Sequence, residues 1–157
     1  IETSGHAAFK ENFFLDDGAY LATLIVIEAA LMHQQGQSID QLIANLKHPL
    51  EAKEGRIPIL CDDFQDYGSD VLETLLEYAK NNDTFLVADD NYEGIRVSFD
   101  ENHGNGWFLL RQSLHDPILP INVESKDEGG CKIILAALYE VLQDFNSLDL
   151  RPLKKEI

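Results

Sequence analysis

The chain divides by its pattern of apolar and polar positions. Residues 17–35 are apolar almost all round, with Leu21, Leu24, Ile25, Val26, Ile27, Ala29, Ala30 and Leu31 in close succession. Such a run predicts a helix that expects burial on most faces. Asp16 or Asp17 supplies its N-cap and Gly36 ends it. Residues 1–16 before it read as loop. Ser38-x-x-Gln41 is a capping-box pattern for a second short helix reaching about Leu46. Pro49 and the charged run 51–55 then read as a linker.

From Arg56 the texture changes. "RIPILC" is strand-like, and Pro58 marks it as an edge or irregular strand. Ser69 is expected to cap a helix whose Val71, Leu72, Leu75, Leu76 and Ala79 form one apolar stripe. "TFLVAD", "GIRVSF", "GWFLLR" and "ILPINVE" read as four further strands. Ser125-x-x-Glu128 is a second capping-box pattern. It opens a last helix to about Phe145, with Ile134, Leu138, Val141, Leu142 and Phe145 inward. The tail "RPLKKEI" reads as loose. Strand, helix, antiparallel strands, helix: this order predicts a small α+β domain with helices covering one face of a sheet.

Composition narrows the function. Of 157 residues 45% are hydrophobic, enough for a packed core. Twelve basic residues against 28 acidic ones give a net charge of -16. That argues against nucleic acid or an anionic membrane as partner, since both need a basic surface. Any anion site must be built locally, against the overall field. Cys61 and Cys131 have no metal-ligand spacing and read as two reduced thiols of a cytoplasmic protein. The longest apolar stretch, 19–32, is interrupted by Thr23 and Glu28 and is too short to span a bilayer. The first residue is Ile1, and the sequence reads as part of a longer protein.

Three short clusters carry candidate chemistry. In Arg111-Gln112-Ser113-Leu114-His115-Asp116-Pro117 an apolar strand ends in a guanidinium and a tight polar turn follows. Only Lys80, Arg96, Arg111 and Lys126 are basic between Ile57 and Cys131. A guanidinium fork, a serine hydroxyl, a histidine and converging turn N–H groups suit a phosphate monoester. An ordinary hairpin whose arginine pairs with a carboxylate accounts for the same spacing. In Glu2-Thr3-Ser4-Gly5-His6 a carboxylate and a hydroxyl alternate, a good pair for holding vicinal sugar hydroxyls, and His6 could serve as an acid/base group. A polar loop with incidental residues is the plainer reading. Asp16-Asp17-Gly18 precedes a helix, so capping explains it better than a metal loop. No spacing supports a P-loop, a zinc site, a dinucleotide fingerprint or a nucleophile elbow.

Two of these segments resemble one family. "ETSGHAAFKENFFLDDGAY" is similar to the sugar-binding loop and following helix of the α-D-phosphohexomutases, in the phosphomannomutase/phosphoglucomutase branch. "GWFLLRQSLHDPILPINVES", with "EGIRVSF" before it, resembles that family's C-terminal phosphate-binding segment. Two separate motifs in the right order are more specific than either alone. The resemblance implies residues 1–50 as the end of a third, α/β domain, of which a helical remnant is present. It implies 51–55 as linker, 56–150 as a fourth, TATA-binding-protein-like domain, and 151–157 as tail.

By the same resemblance Glu2, Ser4 and His6 bind sugar hydroxyls, with His6 beside the reacting hydroxyl. Arg111, Ser113, Leu114 and His115 hold the phosphate that is not transferred. Leu114 can offer only backbone, and His115 stands in place of a usual hydroxyl donor. Pro120 stands where some relatives carry another arginine. The family's nucleophilic serine and Mg2+-binding aspartate loop lie in earlier domains and do not occur here. The resemblance thus implies the C-terminal part of an intramolecular phosphotransferase, inert alone, that isomerises hexose 1-phosphate and 6-phosphate when joined to its N-terminal domains. Mg2+ and a hexose 1,6-bisphosphate would serve the whole enzyme. A non-catalytic phosphosugar-binding or regulatory module, or an acidic protein-interaction domain, are alternatives from other classes. The apolar helix at 17–35 would need cover, from the chain itself or from self-association with another copy.

Overall fold

The computed structural model describes residues 6–89 and 91–157, which form two compact units, Ile1–Lys47 and His48–Ile157. In the first unit a 3-10 turn, Lys10–Asn12, precedes α1, Gly18–Gln34. Asp17 is the N-cap: its side chain accepts from the N–H groups of Ala19 and Tyr20 at 3.0 and 3.1 Å. These bonds hold the Asp17 carboxyl below the usual carboxylate range, that from Tyr20 most of all. Gly36 closes the helix at φ +73°, an angle that favours glycine. The second short helix is a 3-10 turn, Ile39–Leu42, with the Ser38 hydroxyl accepting from Asp40 N–H.

The second unit is a five-stranded antiparallel sheet with helices packed on one side. Its strands are β1 Glu51–Pro58, β2 Leu86–Val87, β3 Ile95–Ser98, β4 Gly106–Leu110 and β5 Ile118–Ser125, in the spatial order β1-β5-β4-β3-β2. Helices α2, Phe64–Lys80, and α3, Gly130–Leu142, pack on that side. Alternation sets the faces. Along β5 Leu119, Ile121, Val123 and Ser125 are buried under the helices, and Pro120, Asn122 and Glu124 turn the other way. Val71, Leu75 and Ala79 of α2 and Ile134, Leu138 and Leu142 of α3 close the core over Phe108, Leu110 and Val97.

Four local expectations are corrected. Residues 51–55 are not a linker but the first part of β1, an edge strand on which Glu54 is exposed while Glu51 and Lys53 are half-buried and paired with other elements. Ser69 does not cap α2; it lies within it, its hydroxyl donating to the Gln65 carbonyl. Ser125 does not cap α3 either. It is buried, donates to Gly104 O at 2.6 Å and accepts from Asp127 N–H at 3.0 Å. The start of α3 is met instead by Glu51, whose carboxylate accepts from Gly129 and Cys131 N–H at 2.8 and 3.1 Å. Finally, the tail is folded. Arg151–Lys154 form a short helix, α4, Leu153 is buried, and Lys53 Nζ lies 2.5 Å from Glu156 Oε2.

Both thiols are free, Cys61 half-buried and Cys131 buried. Burial pushes the Cys131 thiol up to about 11, so it stays protonated at neutral pH. No helix of the described residues is long and apolar enough to cross a membrane.

Candidate functional site

The Arg111 loop grows out of one row of residues across the sheet. Arg56 pairs with Pro120 in the β1–β5 register. Arg111 N–H donates to Pro120 O at 2.9 Å, one step past the Leu110–Ile121 pair. Gly94, one step before the Ile95–Leu110 pair, completes the row. Its sequence neighbours Ile57, Leu119, Ile121, Leu110 and Ile95 all point into the core. The row Arg56–Pro120–Arg111–Gly94 therefore lies on the opposite, helix-free face.

Pro120 explains where the loop begins. A hydrogen-bonded antiparallel pair exchanges two N–H···O bonds. Proline has no N–H and returns none, so the Arg111–Pro120 pair keeps a single bond and β4 ends at Leu110, with one further bond, Ser113 N–H to Ile118 O at 3.2 Å, closing the hairpin. Gly94 explains why Arg111 fits. A Cβ there would lie 2.3 Å from Leu110 O and 3.1 Å from Arg111 Cγ, and the residue adopts φ +150°. Only glycine lets the Arg111 stem cross at this height. The Arg111 guanidinium is partly exposed, with Nη1 3.9 Å from Glu93 Oε2.

The loop itself is tied down from two sides. Gln112 Nε2 donates to Gln65 O at 2.7 Å, and Gln112 Oε1 accepts from the Ser69 hydroxyl at 3.2 Å. Gln65 Nε2 donates back to Leu114 O at 3.4 Å. Within the turn, the Ser113 hydroxyl oxygen accepts from His115 and Asp116 N–H at 3.4 and 3.1 Å. Those two N–H groups thus converge on Ser113 Oγ, whose own proton is left to donate outward. Leu114 and His115 are exposed at the tip. The structure places Arg111, Ser113, Leu114 and His115 on one loop, held on the scaffold of β4, β5 and α2.

In the first unit Glu2 and Ser4 lie outside the described residues. His6 is described and exposed; its Nδ1 lies 2.6 Å from Asp16 Oδ2. A carboxylate only accepts, so Nδ1 carries the proton in this contact. The chain reaches this contact by doubling back. Phe13 and Phe14 sit at φ 55° and 56°, and Ala8 bridges Asp16. Asp16 and Asp17, adjacent and chemically identical, thus do different work: one orients His6, the other caps α1.

Sequence reasoning missed Gln112, Gly94, Asp16 as the partner of His6, and Glu51. Gly94 left a signal, a glycine immediately before a strand. The others act across distances in sequence that no spacing reveals. Among the described residues no group of three or more His, Cys, Asp or Glu could hold a metal ion.

The comparison that bears on this fold is structural. A phosphoglucomutase/phosphomannomutase family protein from Burkholderia thailandensis matches with a TM-score of 0.58 at 18% identity, over 91% of this chain. The chain spans 27% of that protein's length. The likeness shows the fold. No family model and no curated protein matches the sequence.

Proposed function

We propose that this chain is the C-terminal part of a phosphohexomutase, an intramolecular phosphotransferase that interconverts the 1- and 6-phosphates of glucose, mannose or both. In this reading Arg111 grips the phosphate that stays on the sugar, and the Ser113 hydroxyl proton adds a second donor. Leu114 and His115 contribute from the tip, by backbone and by ring nitrogen. Glu2 and Ser4 hold sugar hydroxyls, and His6, oriented by Asp16, takes or gives a proton at the reacting hydroxyl. Phosphoryl transfer depends on positioning and on charge neutralisation by a metal. The nucleophilic serine and the Mg2+ ligands are assigned to N-terminal domains of the same protein, and a hexose 1,6-bisphosphate is the activator or intermediate of the whole enzyme. The chain alone is then expected to bind phosphosugar and to leave it unconverted.

The observation that carries the reading is the Arg111 loop: an arginine held by its N–H to Pro120 O, seated over Gly94, on a loop pinned through Gln112 to α2. Its occurrence in a fold like that of a mutase-family protein supports the same reading. The Glu93 carboxylate at 3.9 Å is a competitor that a bound phosphate must displace. The test is titration of the chain with glucose 1-phosphate and mannose 1-phosphate, followed by NMR of the arginine Nε–Hε groups. A saturable shift at Arg111, lost in Arg111→Gln, is expected. No shift at Arg111 with either sugar phosphate rejects the reading.

A further inference from the structure

Three of the four arginines in this acidic chain, Arg56, Arg96 and Arg111, fall on the helix-free face of one sheet. They differ in what surrounds them. Arg96 stacks over Trp107, its guanidinium carbon 4.5 Å from the ring centroid. The fourth, Arg151, is locked to Asp149 by three contacts of 2.6–3.1 Å. Arg56 is held by neither device. Its side chain is 70% exposed, and its Nη2 is 3.9 Å from Glu54 Oε1, too far for a hydrogen bond.

Arg56 also stands in one particular place. It occupies the row that ends in Arg111, with Pro120 alone between them. Neighbouring strands lie about 4.8 Å apart, so the two arginine Cα atoms are roughly 10 Å apart on the same face. Side chains on such a row stand side by side, and two arginines are long enough to lean toward an anion above the residue between them. That residue is a proline, which brings no charge and no competing donor. A dianion above Pro120 would meet a guanidinium from each side.

We propose that Arg56 is a second phosphate-binding residue, which closes with Arg111 on one phosphate monoester over Pro120. The inference rests on the reading of Arg111 given above and adds to it a residue from the edge strand. It gives a physical reason for β1 to carry its arginine here, when the position next along the same face, Glu54, is acidic.

The test uses the chain as it stands, with inorganic phosphate as probe and the arginine Nε–Hε and backbone amide signals as readout. In the wild type both Arg56 and Arg111 are expected to shift along one saturation curve. Arg56→Gln should weaken phosphate binding roughly tenfold, as loss of one charge-assisted contact does. Arg56→Lys, which keeps charge but not the planar fork, should recover part of that loss. The double variant Arg56→Gln/Arg111→Gln should cost less than the sum of the two single changes, because both act on one anion. If Arg56→Gln binds phosphate as the wild type does while Arg111→Gln does not, Arg56 has no part in the site and the reading of Arg111 stands. If the wild type binds no phosphate at Arg111, both fall together.

Discussion

Gln112 Nε2 donates to the main-chain carbonyl of Gln65 at 2.7 Å, and this bond ties the Arg111 loop to the first turns of α2. The same side chain accepts from Ser69 and lies directly over Gly68, where a Cβ would stand 2.8 Å from Gln112 Nε2. Gln112 carries no charge, so its loss tests positioning alone. Gln112→Ala is expected to cost about 1 kcal/mol of stability. It should weaken phosphate binding without moving its salt dependence. Denaturant unfolding and amide exchange at residues 113–116 measure the two effects; unchanged exchange there would show that the tether is idle.

Gly94 controls Arg111 from below. Gly94→Ala puts a methyl group against Leu110 O, at a backbone angle that L residues rarely adopt. The expected loss is about 1–3 kcal/mol, with the Arg111 stem pushed off its seat. Phosphate affinity should fall further than stability alone explains, since the variant remains folded under native conditions. Equal affinity in a destabilised but folded variant would separate Gly94 from the site.

Glu51 gives a prediction in pH. Its carboxylate accepts from the N–H groups of Gly129 and Cys131, and these bonds hold it below the usual carboxylate range, Gly129 contributing most. A carboxyl lowered in the folded state stabilises fully above its unfolded value and loses that contribution as pH falls through the folded one. Asp17, Asp100 and Asp149 shift in the same direction, so the wild-type pH profile alone cannot isolate Glu51. The difference in melting temperature between wild type and Glu51→Gln should therefore be largest near pH 7 and shrink on acidification below pH 4. A difference that holds constant with pH would mean that the charge is not what matters.

Much of this fold is legible in the sequence because strands and helices here obey their periods. The alternation in "ILPINVE" and the stripe from Val71 to Ala79 each name a buried face, and the structure buries those faces. What is not legible is whatever depends on a partner distant along the chain. Residues 51–55 look like a linker because their charges read as solvated, yet Glu51 and Lys53 are half-buried and meet partners far along the chain, the start of α3 and Glu156. Ser125 looks like a cap because its spacing to Glu128 is right, yet burial turns its hydroxyl inward and leaves the helix to Glu51. The Arg111 loop shows its chemistry in sequence, but not that Ser113 draws the turn N–H groups to itself, nor that Arg56 stands across Pro120.

The C-terminal tail offers a test of packing. Leu153 is buried, and Pro152, Leu153, Lys155 and Glu156 line a cleft of about 260 Å³ together with the β1 stretch from Lys53 to Ile57 and with Ile121 and Leu135. Leu153→Ala should cost about 2–3 kcal/mol, the usual result of emptying a buried leucine site. Lys53→Ala, which breaks the exposed pair with Glu156, should cost far less. Urea unfolding of the two variants distinguishes a docked tail from one held by charge.

Helix α1 carries the last prediction. Ile25, Val26, Ile27 and Leu31 are exposed, on a helix whose composition is that of a buried element. Contiguous apolar surface of this kind marks an interaction site in a folded protein. The net charge of -16 opposes association between copies, and salt screens it. The chain is therefore expected to self-associate through α1, more strongly at high salt than at low. Val26→Lys, in the middle of the exposed run, should return it to monomer without changing the melting temperature of the His48–Ile157 unit. Light scattering across a concentration series measures both. A wild-type chain that stays monomeric at high salt and high concentration would show that α1 does not pair with itself.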